Sequence, residues 1–211
     1  CALRLGLRQV DGCCEDDAKK IMAARDTPFT SVRDVWLRSG LQPAALRRLA
    51  EADAFASLGL DRRAALWAVR ALRRVADKDD LPLLARAALT AQESHTPLPV
   101  MGLEQQVVED YRHLHLSLKA HPVGLLRPLF ARPIRPNSAL ATARDGAPIT
   151  VAGLVLVRQR PGSAVSVFMT LEDETAIANV IVWPKVFEAY RPIVMGARLV
   201  AVRGRAQSES G

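Results

Sequence analysis

The stretch Leu5-Gly-Leu-Arg-Gln-Val-Asp-Gly-Cys-Cys-Glu-Asp-Asp-Ala-Lys-Lys-Ile, residues 5–21, carries an apolar segment through a tight turn and into a helix. Gly12, Cys13 and Cys14 form the turn, because glycine enters left-handed backbone at no steric cost. A helix follows. Asp16 and Asp17 suit the positive end of its dipole, and Ala18, Ile21 and Met22 recur at helical spacing. A turn of this kind aims the free backbone N–H groups of a helix start at one point, where a phosphate fits without any base being read. Gly12, Cys13, Cys14 and Glu15 are therefore the first candidate contacts with a nucleic-acid backbone, and Lys19 and Lys20 add charge beside them.

The pattern resembles a helix-hairpin-helix motif. Such motifs carry a second glycine two positions after the first; here that position is Cys14, which leaves a purely structural turn as the alternative. A looser second copy runs through residues 46–67, where Gly59 supplies the turn and Arg62 and Arg63 open the next helix. Its alternative is a helical hairpin whose arginines are only solvated. Between the copies, Ser31 to Arg38 reads as a helix stopped by Gly40, and Pro43 opens another that buries Leu46, Leu49 and Ala50. Asp61 caps a longer helix through Val75, with Ala65, Ala68, Val69 and Leu72 facing inward and Trp67 assigned to the core.

Residues 76–146 read as a connector with a short helix near Leu83 to Leu89 and another over Leu103 to Leu118. Pro122, Pro128, Pro133 and Pro136 then forbid a long helix. From Ile149 the pattern changes to strands: Val151 to Arg158, Val165 to Leu171 and Ala176 to Trp183. One or two helical turns over Pro184 to Tyr190 precede a strand from Arg198 to Gln207. That is the element order of an OB-fold lacking its fifth strand. The expected fold class is α + β multidomain: a tandem helix-hairpin-helix domain at 1–75, a helical, proline-rich connector at 76–146, and a truncated OB-fold β-barrel at 147–211. In the barrel, Arg158, Arg160, Lys185, Arg203 and Arg205 are placed along a cationic groove for a DNA strand. Phe168 and Trp183 are either stacking platforms for unpaired bases or, on the simpler reading, core. Glu172-Asp173-Glu174 reads as a solvated turn.

Composition narrows the function classes. The net charge is +7, with 24 arginines among 29 basic residues. Residues 1–75 hold 14 Lys/Arg against 9 Asp/Glu, and residues 76–146 hold 8 against 8. A polyanion partner fits the basic ends, although an arginine-rich proteome gives the same bias. Three cysteines, two of them adjacent, make neither a disulfide framework nor a zinc site, so a reduced, cytoplasmic setting is expected. Neither a signal peptide nor an apolar run of membrane-spanning length is present. His113, His115 and His121 lack the cysteine or carboxylate partners of a metal site. No P-loop, dinucleotide fingerprint or nucleophile–base pair is found. The chain starts and stops in mid-pattern, and both ends are read as cuts in a longer protein.

Taken together, Leu3-Arg-Leu-Gly-Leu-Arg-Gln-Val-Asp-Gly, Pro28-Phe-Thr-Ser, and Ala52-Asp-Ala-Phe-Ala-Ser-Leu-Gly resemble the C-terminal half of C-family bacterial DNA polymerase alpha subunits. So do Asp110-Tyr-Arg-His-Leu-His-Leu-Ser-Leu-Lys-Ala-His-Pro, Phe168-Met-Thr-Leu-Glu-Asp-Glu-Thr and Val182-Trp-Pro-Lys-Val-Phe-Glu, with wording most like the error-prone, damage-inducible branch. The resemblance implies a parent enzyme that adds deoxynucleotides by two-metal chemistry with Mg²⁺, its catalytic aspartates lying before Cys1. No catalytic residue, cofactor site or metal ligand is assigned within the chain. It implies primer–template DNA and single-stranded DNA as partners, together with a Y-family-like mutasome protein and the sliding clamp. A protein-interaction scaffold that docks polymerase subunits is the competing reading.

Overall fold

In the computed structural model, which describes residues 5–76, 98–130, 134–160, 162 and 166–207, the chain divides into two compact units, Cys1–Ser117 and Leu118–Gly211. The helix expected near Leu83 to Leu89 lies outside the described residues.

The first unit contains α1 (Glu15–Ala23), α2 (Val32–Ser39), α3 (Pro43–Glu51), α4 (Arg62–Ala76) and α5 (Leu103–Leu114). Local chemistry sets their ends. Ser31 Oγ accepts the Asp34 N–H at 3.0 Å to open α2, and Gly40 at φ +63° closes it. Asp61 Oδ1 accepts the Ala64 N–H at 2.7 Å to open α4. Arg38 ties the α1–α2 link, donating to the carbonyls of Ala24 and Thr27 and lying 4.6 Å from the Phe29 ring centroid. The core joins Val32 and Val35 of α2, Leu46 and Ala50 of α3, and Ala65 and Val69 of α4. Trp67 departs from its expected place. It is 49% exposed, because the buried stripe of α4 passes through Arg62, Ala65, Val69 and Leu72. At about 100° per residue, position 67 falls on the opposite side. Helix α5 stops earlier than expected, at Leu114, since His115 adopts φ +61°.

The second unit holds the short helix α6 (Pro122–Leu126) and strands β1 (Ile134–Arg135), β2 (Pro148–Gln159), β3 (Val167–Glu172), β4 (Ile177–Val182) and β5 (Leu199–Arg205). Helix α7 (Pro184–Gly196) lies between β4 and β5. Strand β2 is the hub. Its first half pairs antiparallel with β5, from Pro148↔Arg205 to Leu154↔Leu199, and its second half pairs with β3, from Leu154↔Glu172 to Gln159↔Phe168. A register shift between Val155 and Val157 bends the strand where it changes partner. Gly153 sits at the same place, where a Cβ would lie 2.7 Å from the Glu172 carbonyl oxygen. Strand β4 pairs with β3, and β1 runs parallel to β2. The four long strands curl into the half-barrel of an OB-like fold. Among the described residues no strand joins β4 to β5. Helix α7 runs six residues beyond the expected Tyr190, continuing through Pro192 by a kink at Tyr190 (φ −121°).

The acidic β3–β4 connection is not the solvated turn expected of it. The Asp173 side chain is fully buried and accepts five hydrogen bonds. Oδ1 takes the Thr175 N–H (2.8 Å), the Thr175 hydroxyl (2.7 Å) and the Ala176 N–H (2.9 Å). Oδ2 takes the Asn137 N–H and an Arg127 guanidinium N–H, both at 2.7 Å. Burial pushes the carboxyl toward neutrality, but the bonds from Thr175, Asn137 and Ala176 outweigh it and hold the pKa below the usual value. A depressed pKa contributes stability that is present above the unfolded-state value, about 3.9, and is lost as pH falls through the lower folded value. Amide exchange protection at Thr175 and Ala176 should therefore persist at pH 6 and collapse in strong acid. Asp173→Asn should weaken it already at pH 6 and flatten the remaining acid dependence.

Candidate nucleic-acid interface

At the first turn, the Cys13 N–H donates to the Val10 carbonyl at 3.1 Å, and Gly12 takes φ +69°. Cys14 occupies the cap position of α1 but supplies no side-chain cap, so the helix start keeps no side-chain acceptor of its own. The turn is moored from behind: the Asp11 N–H reaches the His113 carbonyl at 2.9 Å, and Gln9 Nε2 reaches that of Leu114 at 2.8 Å. Arg48, a residue absent from the sequence-derived set, donates to the Gly12 carbonyl at 3.0 Å. A cation thus stands at the turn, and sequence spacing gave no signal of it, because Arg48 lies 36 residues away on α3. Glu15, Asp16 and Asp17 share the first turn of α1, Lys19 pairs with Glu15 at 2.9 Å, and Lys20 is exposed. The Cys13 thiol pKa is raised by burial and by nearby Asp17, which disfavours a reactive thiolate.

The second turn is built differently. Gly59 is left-handed at φ +72°, as the motif requires, but the Asp61 carboxylate caps α4 where an anion would sit. Arg62 is not at the surface. Only 4% exposed, it pairs with the equally buried Asp110 and donates to the Gln106 carbonyl at 3.2 Å. Arg63 donates to the Pro99 carbonyl at 2.6 Å and to Gln105 Oε1 at 3.2 Å. Both arginines assigned to phosphate are held by their own chain, and the solvated alternative does not describe them either.

In the half-barrel the five basic residues do not form one groove. Arg158 shares the inner face with Met169 and donates to the carbonyls of Val194 (2.7 Å) and Ala197, satisfying the end of α7. Arg203 and Arg205 pair with Thr150 and Pro148 at the far end of β2, and Arg205 also donates to the Gly146 carbonyl at 2.9 Å. Arg160 follows the opposite end of β2, 5.7 Å from the Phe187 ring centroid, and Lys185 is exposed at the start of α7. At that same end the register aligns Gln159, Phe168 and Ile181 across β2, β3 and β4 on the outer face. Phe168 is 40% exposed and Trp183 58%, so the simpler expectation of core packing fails for both. Beside them, Thr170 Oγ1 lies 3.3 Å from Asn179 Oδ1. The result is an open aromatic and amide-bearing surface, with Lys185 exposed two residues past Trp183 and Arg160 turned toward Phe187 of α7.

Comparison with known proteins fits this arrangement. Residues 1–65 match the helix-hairpin-helix motif family. The whole chain is 53% identical over 213 residues to an error-prone DNA polymerase of Mesorhizobium japonicum. It is similar over its whole length to error-prone DNA polymerases. The polymerase of Sinorhizobium medicae is 54% identical over 214 residues, and that of Ruegeria pomeroyi 50% over 212. The chain is covered at 99–100% in these three matches and spans only 19% of each relative's length. The resemblance read from the sequence to the error-prone branch of bacterial polymerases is borne out. So are the helix-hairpin-helix region and the OB-like half-barrel.

The inward-facing Arg62 yields a sharp expectation. Asp110→Ala leaves a buried guanidinium unpaired and should destabilise the helical unit by about 3–5 kcal/mol in chemical denaturation. Lys20→Ala, at an exposed site, should change it by less than about 0.5 kcal/mol.

Proposed function

We propose that this chain is a non-catalytic DNA-holding segment, from the C-terminal part of a longer error-prone DNA polymerase that acts in translesion synthesis and DNA repair. The helical unit grips duplex product through backbone phosphates at the Gly12–Glu15 turn, with Arg48 and Lys20 as the neighbouring cations. The half-barrel guides unpaired template across the outer face of β3 and β4. Nucleotide addition, with the Mg²⁺ it requires, is assigned to parts of the polymerase other than these residues.

One observation carries the reading: Phe168, Ile181 and Trp183 lie open at one end of the sheet, next to the exposed Lys185. Exposed aromatic faces beside cations suit single strands, because every base offers a π-face and stacking needs no particular sequence. A second reading has its own support. Val186, Tyr190 and Ile193 are exposed at helical spacing on α7, which suits docking of a partner subunit such as a Y-family-like mutasome protein or the sliding clamp. Fluorescence anisotropy with a labelled oligothymidine separates the two. Phe168→Ala should lower affinity by about tenfold or more, from about 1–3 kcal/mol per stacked base. Tyr190→Glu should leave it unchanged. Affinity that is absent at low salt, or indifferent to Phe168, favours the docking scaffold.

A further inference from the structure

Helix α4 carries five arginines and no acidic residue. Its buried side is complete, with Arg62 paired and Ala65, Val69 and Leu72 in the core. Its outer side is not. Arg63, Trp67, Arg70 and Arg74 follow one another at i, i+4, i+7 and i+11, which places these positions within about 60° of one another around the helix axis. Trp67 stands half-exposed in the middle of this row and Arg70 is exposed one turn on. Among the described residues neither has a hydrogen bond, an ion pair or a ring contact. A half-exposed indole beside the exposed Arg70 guanidinium presents a π-face and a cation together, and a wholly cationic helix selects an anionic ligand.

We propose that this face of α4 binds single-stranded nucleic acid, with an unpaired base stacked on Trp67 and a neighbouring phosphate on Arg70. Trp67 and Arg70 belong neither to the residues assigned to the hairpin turns nor to those of the sheet face, and the proposal rests on the reading of the chain as a DNA-holding segment. Stacking supplies the sequence-tolerant contact and the guanidinium supplies counterion release. Arg63, tied to Pro99 and Gln105, borders the site.

The test uses the intact 211-residue chain with labelled oligothymidine, the same oligomer made abasic, and a duplex of equal length, all followed by anisotropy. Trp67→Ala should weaken oligothymidine binding about tenfold, Trp67→Phe should keep most of the affinity, and neither should alter the melting temperature. The Trp67→Ala effect should vanish on the abasic oligomer and be absent on the duplex. Arg70→Ala should reduce the slope of log affinity against log salt by about one. Oligothymidine binding that is indifferent to both substitutions overturns the proposal and leaves the face to a protein partner. Equal loss on single strand and duplex overturns it too, since stacking would not be the contact. Loss of single-strand affinity in Phe168→Ala alone overturns it while sparing the proposed function. A wild-type chain that binds none of the DNAs at low salt overturns both.

Discussion

The buried pair between Arg62 and Asp110 ties α4 to α5 in the helical unit. Two opposite charges taken out of water gain little net stability, but each becomes very unfavourable without the other. The pair therefore acts as a register lock between α4 and α5. Asp110 also accepts the Ser117 hydroxyl at 2.7 Å, and Arg62 also reaches the Gln106 carbonyl, so the middle of α5 is held at the start of α4. The far end of α5 then presents the carbonyls of His113 and Leu114 that moor Asp11 and Gln9. The position of the first hairpin turn thus depends on an ion pair at the second. The two turns share a motif but divide its tasks, one anchoring the unit and the other facing outward.

Asp173 has the same part in the half-barrel. Its carboxylate gathers Asn137, Thr175, Ala176 and Arg127 around the β3–β4 turn, so the segment before β2 is pinned to the far side of the sheet. Arg127 also pairs with Glu174, and this contact first, then Asp173, holds its guanidinium pKa above the usual value against the effect of burial. Phe168 remains at the surface of a unit whose core includes Met169, Leu171 and Val182. Alternation along β3 puts Phe168 and Met169 on opposite faces, so exposing one is the geometric consequence of burying the other.

Most element types were legible in the sequence, because caps and periodicities act over a few residues. Ser31, Gly40, Pro43 and Asp61 each end or begin a helix where local chemistry requires it. The errors concern partners far along the chain. Arg62 reads as a phosphate ligand because it opens the helix after the Gly59 turn; Asp110, 48 residues later, decides its fate. Asp173 looked solvated because its neighbours are acidic, whereas its donors include Asn137 and Arg127. Trp67 reads as core because it is taken to lie on an apolar helix face. The side chain's angle relative to the buried stripe, not local composition, determined the outcome. Phe168 stayed ambiguous for a related reason, since both faces of β3 are apolar in sequence.

These placements change what the charge of +7 means. Arg38, Arg62, Arg63, Arg127 and Arg158 all donate to carbonyls or carboxylates of their own chain, so they neutralise orphaned helix ends and buried acids before any ligand arrives. Lys20, Arg70, Lys185 and Arg203 remain exposed without an ion pair among the described residues. Each phosphate neutralised by such a residue releases roughly one counterion, so a strand bound by a few scattered cations has a modest salt dependence. In the proposed role, the remaining affinity comes from contacts that salt does not screen. Trp67, Phe168 and Trp183 are exposed rings that salt does not screen, so the proposed DNA-holding role rests on aromatic surface more than on basic composition.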